Sequence, residues 1–207
     1  MKNLVLGIVF LCIPVLGFSQ SKITPESALK SYLTNGDRNY SWEIKDSASL
    51  GSTKVYQILL TSQKWRGITW RHQLTILIPA NLQYDGALLF ITGGSNKDEQ
   101  PNWSKEDKLW PILGTIANKN KAVVSLIKQV PNQPFFDGKT EYELITHTLN
   151  EFRKDKDYSW PLLFPMVKSA VRGMDAVQEV IAQKTTKKIN NFVISGASKR
   201  GWTTWLS

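Results

Sequence analysis

Cysteine is almost absent from this sequence, which contains only Cys12 among 207 residues. That residue lies in an apolar run, Leu4 to Leu16, which follows a basic residue and has the length of the hydrophobic part of a secretory signal peptide. The small residues Gly17 and Ser19 supply a cleavage site, so we expect residues 1–19 to be a signal peptide and the mature chain to be exported to the periplasm or the extracellular space. The run is too short to span a membrane, and we expect no stable membrane insertion after cleavage.

The mature chain, residues 20–207, would then have no cysteine and could form no disulfide. An exported chain of this kind must be stabilised by burial of its core alone. A hydrophobic content of 42% with 11% aromatic residues is sufficient for a packed globular domain.

The sequence also lacks the residue patterns that bind metals, phosphates or nucleic acids. Removal of Cys12 leaves no Cys/His cluster, so no metal site is expected. The loop Thr92–Ser95 is rich in glycine but lacks the lysine and the spacing of a phosphate-binding loop. The formal charge is +9, but the basic residues are scattered rather than gathered on one face, which argues against nucleic-acid binding. We therefore expect no cofactor, no metal and no nucleic-acid partner.

Hydrophobic runs of two kinds divide the chain. Two β-rich runs, 54–61 and 71–79, predict adjacent antiparallel strands. Later runs are almost purely apolar, as is typical of strands covered by helices on both faces, and they lie at 87–91, 122–127 and 191–195. Helical patterns alternate with these strands, at 24–33, within 103–118, at 142–153 and at 165–183. The alternation predicts an α/β fold with a mostly parallel sheet preceded by antiparallel strands.

The third apolar run ends at Gly196–Ala197–Ser198–Lys199, and a helical pattern follows. A serine with small neighbours on a sharp strand-to-helix turn is the arrangement of a nucleophile elbow, which exposes the hydroxyl and directs backbone N–H groups at an incoming carbonyl. We therefore predict that Ser198 is a catalytic nucleophile. The alternative is an ordinary tight turn in which Ser198 caps the helix.

The glycine-rich loop after the first apolar run predicts the rest of an oxyanion hole. We assign oxyanion or substrate contacts to Gly94 and Ser95, together with the N–H group of Lys199. Arg200 departs from the usual signature, because the glycine expected two residues after the serine is here Gly201. The side chains of Lys199 and Arg200 would make the mouth of the site cationic and favour an anionic or strongly polarised substrate. The alternative is that both side chains face solvent.

A catalytic serine needs a base, and no histidine or acidic residue follows Ser198 in this sequence. His72 lies in a predicted strand and His147 in a predicted helix, and we expect each to be structural or solvent-facing. In hydrolases with this elbow the acid and the histidine follow the serine. We therefore expect them beyond Ser207, so that residues 20–207 are the N-terminal portion of one domain, truncated after the elbow and inactive by itself.

The segment Val193–Trp205 resembles the signature of the PhoPQ-activated pathogenicity-related proteins, a family that also includes a secreted proliferation repressor. Further matches occur at 165–182, Val130–Pro134 and Phe90–Gly94. The resemblance implies an exported protein of α/β-hydrolase fold in which Ser198 matches the nucleophile. The elbow is also similar in form to that of glucuronoyl esterases, where a basic residue, an arbitrary residue and glycine follow the serine.

Two functions agree with these observations. The first is an exported serine hydrolase in which Ser198 attacks an ester or an amide of a small molecule or a polymer. The second is a non-catalytic secreted protein that uses the hydrolase scaffold for binding or signalling.

Overall fold

The structure, a computed structural model, describes residues 23–105 and 107–207, so the predicted signal peptide and Cys12 lie outside the described residues. Eight strands are present in this part of the chain. They are β1 (Ser41–Leu50), β2 (Thr53–Trp65), β3 (Ile68–Pro79), β4 (Gly86–Ile91), β5 (Asn96–Lys97), β6 (Gln100–Pro101), β7 (Val123–Ile127) and β8 (Asn191–Gly196). Six of them form one sheet in the order β1-β2-β3-β7-β4-β8, and β5 pairs with β6 in a small hairpin.

The sheet changes character along its width. Strands β1, β2 and β3 pair antiparallel, and β3 also pairs antiparallel with β7. Strands β7, β4 and β8 are parallel to one another. Because parallel strands bring their carboxyl ends to one edge of the sheet, the loops after β4, β7 and β8 meet there.

Five helices complete the described part of the fold. They are α1 (Pro25–Leu33), α2 (Trp110–Asn120), α3 (Glu141–Asp155), α4 (Leu163–Lys184) and α5 (Lys199–Leu206). Helix α2 packs on one face of the sheet, where Leu113 and Ala117 join a cluster with Val124. Helix α4 covers the other face with a buried stripe that includes Met166 and Val177, at the spacing that the sequence predicts. The predicted α/β-hydrolase-like fold is confirmed.

Strand β1 is not predicted by the sequence. Its residues alternate only weakly in hydrophobicity, because it is an edge strand with mostly exposed side chains and its register shifts between Ile44 and Asp46. The strand is attached through long-range contacts instead. Trp42 donates its indole N–H to Glu179 of α4, and pairing with β2 extends along its whole length.

Within residues 23–105 and 107–207, no helix is both long enough and apolar enough to cross a membrane.

Candidate active site

Ser198 lies between the end of β8 and the start of α5, on a turn with unusual backbone angles. Its φ is 58° and its ψ is −126°, a conformation that costs a non-glycine residue about 1–3 kcal/mol. The residue is exposed to solvent. Ser198 is the N-cap residue of α5, but its side chain makes no capping hydrogen bond to the helix.

Glycine at position 196 permits this turn. A Cβ atom there would lie 2.8 Å from both the Cβ and the carbonyl oxygen of Arg200, closer than real Cβ atoms approach other heavy atoms. Gly201 is also tightly placed, because a Cβ atom would lie 3.2 Å from the carbonyl oxygen of Gly196. The bend between β8 and α5 therefore depends on Gly196. The long side chain of Arg200 is accommodated because it extends to Gly93 and to the carbonyl oxygen of Val130.

The Ser198 hydroxyl has a partner that the sequence analysis did not identify. The hydroxyl of Tyr142, in the first turn of α3, lies 2.9 Å from Ser198 Oγ. The Tyr142 ring also lies beneath the Lys199 ammonium group, whose nitrogen is 4.2 Å from the ring centroid. No local pattern in the sequence marks this tyrosine, because the contact depends on how α3 packs beside the elbow.

The side chains of Lys199 and Arg200 meet on one carboxylate, that of Glu141 at the start of α3. Lys199 is nearly buried, with 3% of its side chain exposed, and forms an ion pair with Glu141. Arg200 donates to both carboxylate oxygens, over 2.8 and 3.1 Å, and its Nε donates to the carbonyl oxygen of Val130 over 2.6 Å. The alternative that both basic side chains face solvent is therefore wrong.

Glu141 stays ionised in this environment. Burial alone would raise the pKa of Glu141, but hydrogen bonds from Arg200, Lys199 and Gln133 outweigh burial and lower its pKa to about 2. Two cations and one carboxylate leave one positive charge beside the elbow. The backbone of Glu141 is also unusual, with φ at 49°, and its N–H donates to Gln133 Oε1 over 2.9 Å.

The glycine-rich loop after β4 lies beside this cluster. A Cβ atom at Gly93 would lie 2.4 Å from an Arg200 guanidinium nitrogen, so the guanidinium occupies the space that a side chain would fill. The carbonyl oxygen of Gly94 accepts a hydrogen bond from Gln133, which in turn donates to Glu141. Gly94 is thus connected with the elbow through two polar side chains.

Ser95 has a different environment. Its hydroxyl accepts a hydrogen bond from Asn102 Nδ2 over 2.6 Å, and its carbonyl oxygen accepts one from the Asn102 N–H group. The side chain of Ser95 therefore holds the hairpin of β5 and β6. The roles of Gly94 and Ser95 as oxyanion or substrate contacts stay predictions.

Both histidines have structural partners other than Ser198. His72 is fully buried in β3, where its Nε2 is 2.9 Å from Ser62 Oγ and its Nδ1 is 3.0 Å from the carbonyl oxygen of Lys128. This serine–histidine pair is inaccessible to a substrate, and burial lowers the pKa of His72 to about 4. His147 packs against the ring of Phe136, with centroids 4.8 Å apart.

Across residues 23–105 and 107–207, no group of three or more histidine, cysteine, aspartate or glutamate side chains is placed to hold a metal ion.

The parallel β7-β4-β8 segment and the helices on both of its faces define an α/β-hydrolase fold, in which Ser198 lies on the strand-to-helix turn after β8. Residues 29–207 match the family model of the PhoPQ-activated pathogenicity-related proteins, and the chain belongs to that family.

The chain is also similar to one characterised protein in sequence and to two solved structures in fold. Autocrine proliferation repressor protein A of Dictyostelium discoideum is 31% identical over 190 residues, a match that covers 86% of this chain and 37% of that protein. An acetyl xylan esterase from Paenibacillus sp. R4 has a TM-score of 0.51 at 11% identity, over 86% of this chain and 52% of that one. A Bacteroides fragilis protein assigned as an acetyl xylan esterase has a TM-score of 0.51 at 14% identity, over 86% and 48% of the two chains.

At 11% and 14% identity the two structures show a shared fold. The chain spans 37% of the length of the curated relative and about half of each solved structure.

Proposed function

We propose that the protein is an exported serine esterase and that Ser198 is its nucleophile. The observation that supports this most strongly is the turn itself, where an exposed Ser198 is held at φ 58° between a sheet strand and a helix. Such strain persists where the surrounding structure enforces it, and it is concentrated at functional sites. Membership in a family with the α/β-hydrolase fold adds to this argument.

In the proposed reaction Ser198 Oγ attacks the ester carbonyl carbon. The N–H group of Lys199, at the start of α5, and an N–H group of the Gly94–Ser95 loop stabilise the developing oxyanion. A histidine and an acidic residue in the part of the protein beyond Ser207 serve as base and orienting group. Neither His72, which is buried against Ser62, nor His147 takes part.

The ester class is supported by the fold neighbours, which carry the names of acetyl xylan esterases. A preference for acidic esters is a narrower proposal. It is supported by the excess positive charge of Lys199 and Arg200 over Glu141 next to the serine. We expect a higher kcat/KM for an ester that carries a free carboxylate elsewhere in the molecule than for the same ester with that carboxylate replaced by a neutral carboxamide. Equal kcat/KM values for the two esters would contradict this preference.

Labelling with a fluorophosphonate probe tests the nucleophile. In the full-length protein we expect covalent labelling of one residue, Ser198, and loss of both labelling and esterase turnover in Ser198→Ala. The matched control is Ser47→Ala, which removes an exposed hydroxyl in β1 and should leave labelling unchanged. Folded full-length protein that neither reacts with the probe nor hydrolyses esters would contradict the proposal.

The second candidate function is secreted binding or signalling on the hydrolase scaffold. It is favoured by the similarity to a protein named as an autocrine proliferation repressor. A biological activity of the full-length protein that persists in Ser198→Ala would support this function, and its loss would support catalysis.

A further inference from the structure

Tyr142 contacts the proposed nucleophile directly and is the starting point of a further inference. Its hydroxyl is 2.9 Å from Ser198 Oγ. Both side chains are exposed, 59% in the case of Tyr142, so their hydrogen bond lies where a substrate can arrive. A purely structural tyrosine would more commonly direct its hydroxyl at a buried partner, as Tyr32 does when it donates to Gln63 over 2.7 Å.

The ring of Tyr142 is held from one side by a fixed charge. The Lys199 ammonium group lies 4.2 Å from the ring centroid and is paired with Glu141, the neighbour of Tyr142 in the chain. Glu141 is itself held by Arg200 and Gln133. The tyrosine is therefore positioned before any substrate binds, which is the condition for efficient electrostatic stabilisation.

The same cation favours one direction of the Tyr142–Ser198 hydrogen bond. Either hydroxyl could donate on distance alone. A positive charge above the ring withdraws electron density from the phenol oxygen, which makes the hydroxyl a stronger donor and a weaker acceptor. The cation therefore favours Tyr142 as the donor and Ser198 Oγ as the acceptor, an arrangement that leaves the serine proton available to a base.

We propose that Tyr142 is a catalytic residue whose hydroxyl donates to Ser198 Oγ at rest and to the substrate carbonyl oxygen in the transition state. Attack joins Ser198 Oγ to the carbonyl carbon, and this brings the carbonyl oxygen within reach of a donor that already contacts Oγ. The inference rests on the proposed esterase function.

Atoms and charges balance in this step. The carbonyl π electrons move to the carbonyl oxygen, which accepts a hydrogen bond from the Tyr142 hydroxyl. The serine proton passes to the imidazole of the histidine that the proposed function requires. When the tetrahedral intermediate collapses, the electrons return to the carbonyl and the alcohol leaves with the proton from the imidazolium. Tyr142 keeps its own proton throughout.

The test compares full-length wild-type protein with Tyr142→Phe, using p-nitrophenyl acetate as the ester. We expect kcat to fall roughly 100-fold while KM changes less than about twofold, because the lost hydrogen bond is strongest in the transition state. The rate of fluorophosphonate labelling should fall in parallel. Tyr142→Gln, which restores an N–H donor, should recover part of kcat and guards against a folding defect in the first variant.

Tyr84→Phe is the matched control, because Tyr84 is similarly exposed, at 54%, and lies before β4 rather than beside the elbow. It should leave kcat unchanged. A kcat of Tyr142→Phe within twofold of an active wild type would overturn this inference and leave the esterase proposal intact. An inactive, unlabelled wild type would overturn both.

The dependence of kcat on pH shows whether Tyr142 acts as a hydrogen-bond donor or as a general base. If Tyr142 donates, Tyr142→Phe lowers the whole profile without changing its shape. Loss of the titrating limb in Tyr142→Phe would make Tyr142 the general base instead and would overturn the donor assignment.

Discussion

At the scale of single residues, Glu141 decides the electrostatics beside Ser198. It accepts hydrogen bonds from Lys199, Arg200 and Gln133, and it precedes Tyr142, which contacts the serine. Lys199 and Arg200 are largely buried, so their charges depend on this carboxylate. One acidic residue thereby holds the first turn of α5 against the first turn of α3.

Glu141→Gln should therefore destabilise the protein at neutral pH. We expect a loss of about 1–2 kcal/mol in the free energy of unfolding, less than the roughly 3–5 kcal/mol of a fully buried pair, because 38% of the Glu141 side chain is exposed. Urea unfolding at pH 7 measures this loss. Glu43→Gln, on an exposed carboxylate of β1, is the control and should change stability by less than about 0.5 kcal/mol.

The same variant predicts a dependence on pH. The pKa of Glu141 is lowered from 4.5 to about 2, so its contribution is fully present above pH 4.5 and is lost as pH falls toward 2. The difference in unfolding free energy between wild type and Glu141→Gln should shrink over that interval. His72 also weakens the fold as pH falls from 6.5 toward 4, but it does so equally in both proteins. A difference that stays constant down to pH 2.5 would contradict the assignment.

At the scale of elements, the junction of β8 and α5 creates the site. Strand β8 pairs in parallel with β4, and α5 packs against both β8 and α4. The helix can begin at Lys199 only because Gly196 leaves room for the backbone of Arg200. The exposed position of Ser198 is a consequence of this packing.

Gly196→Ala tests the junction. The added methyl group would lie 2.8 Å from backbone and Cβ atoms of Arg200, so we expect a loss of about 2–4 kcal/mol in unfolding free energy and loss of fluorophosphonate labelling. Gly86→Ala is the matched control, because the space around Gly86, at the start of β4, is open. Equal stability of the two variants, measured by urea unfolding, would show that the turn can relax.

At the scale of the whole molecule, one side of β8 carries apolar surface. In the described part of the chain β8 pairs with β4 alone, and Val193 is 68% exposed. Trp205 on α5 is 90% exposed. An edge strand with exposed apolar side chains is a site for association with other chains.

For residues 20–207 produced alone we expect concentration-dependent self-association. Val193→Lys should reduce it, because a charge on an edge strand opposes edge-to-edge pairing. Leu149→Lys, which replaces a 50% exposed leucine on α3, is the control and should not reduce it. Size-exclusion chromatography with light scattering over a range of concentrations measures both. A monomer at all concentrations without either substitution would contradict the expectation.

The sequence by itself determined the elements whose signals are local. Apolar runs identified β4, β7 and β8, helical spacing identified the buried stripe of α4, and the glycine and serine of the turn indicated the elbow. These features depend on neighbouring residues, and their periodicity or turn chemistry is visible in a short window.

Only the tertiary structure decided which side chains surround Ser198. It joined Tyr142 to Ser198 across 56 positions and directed Lys199 and Arg200 at Glu141. It also added β1. The sequence pattern of this strand is weak, and the strand is stabilised by its pairing with β2 and by the hydrogen bond from Trp42 to Glu179. The physical reason is the same in each case. Charged groups and hydroxyls that are distant in sequence come into contact only after the helices have packed on the sheet, so local residue preferences do not predict these contacts.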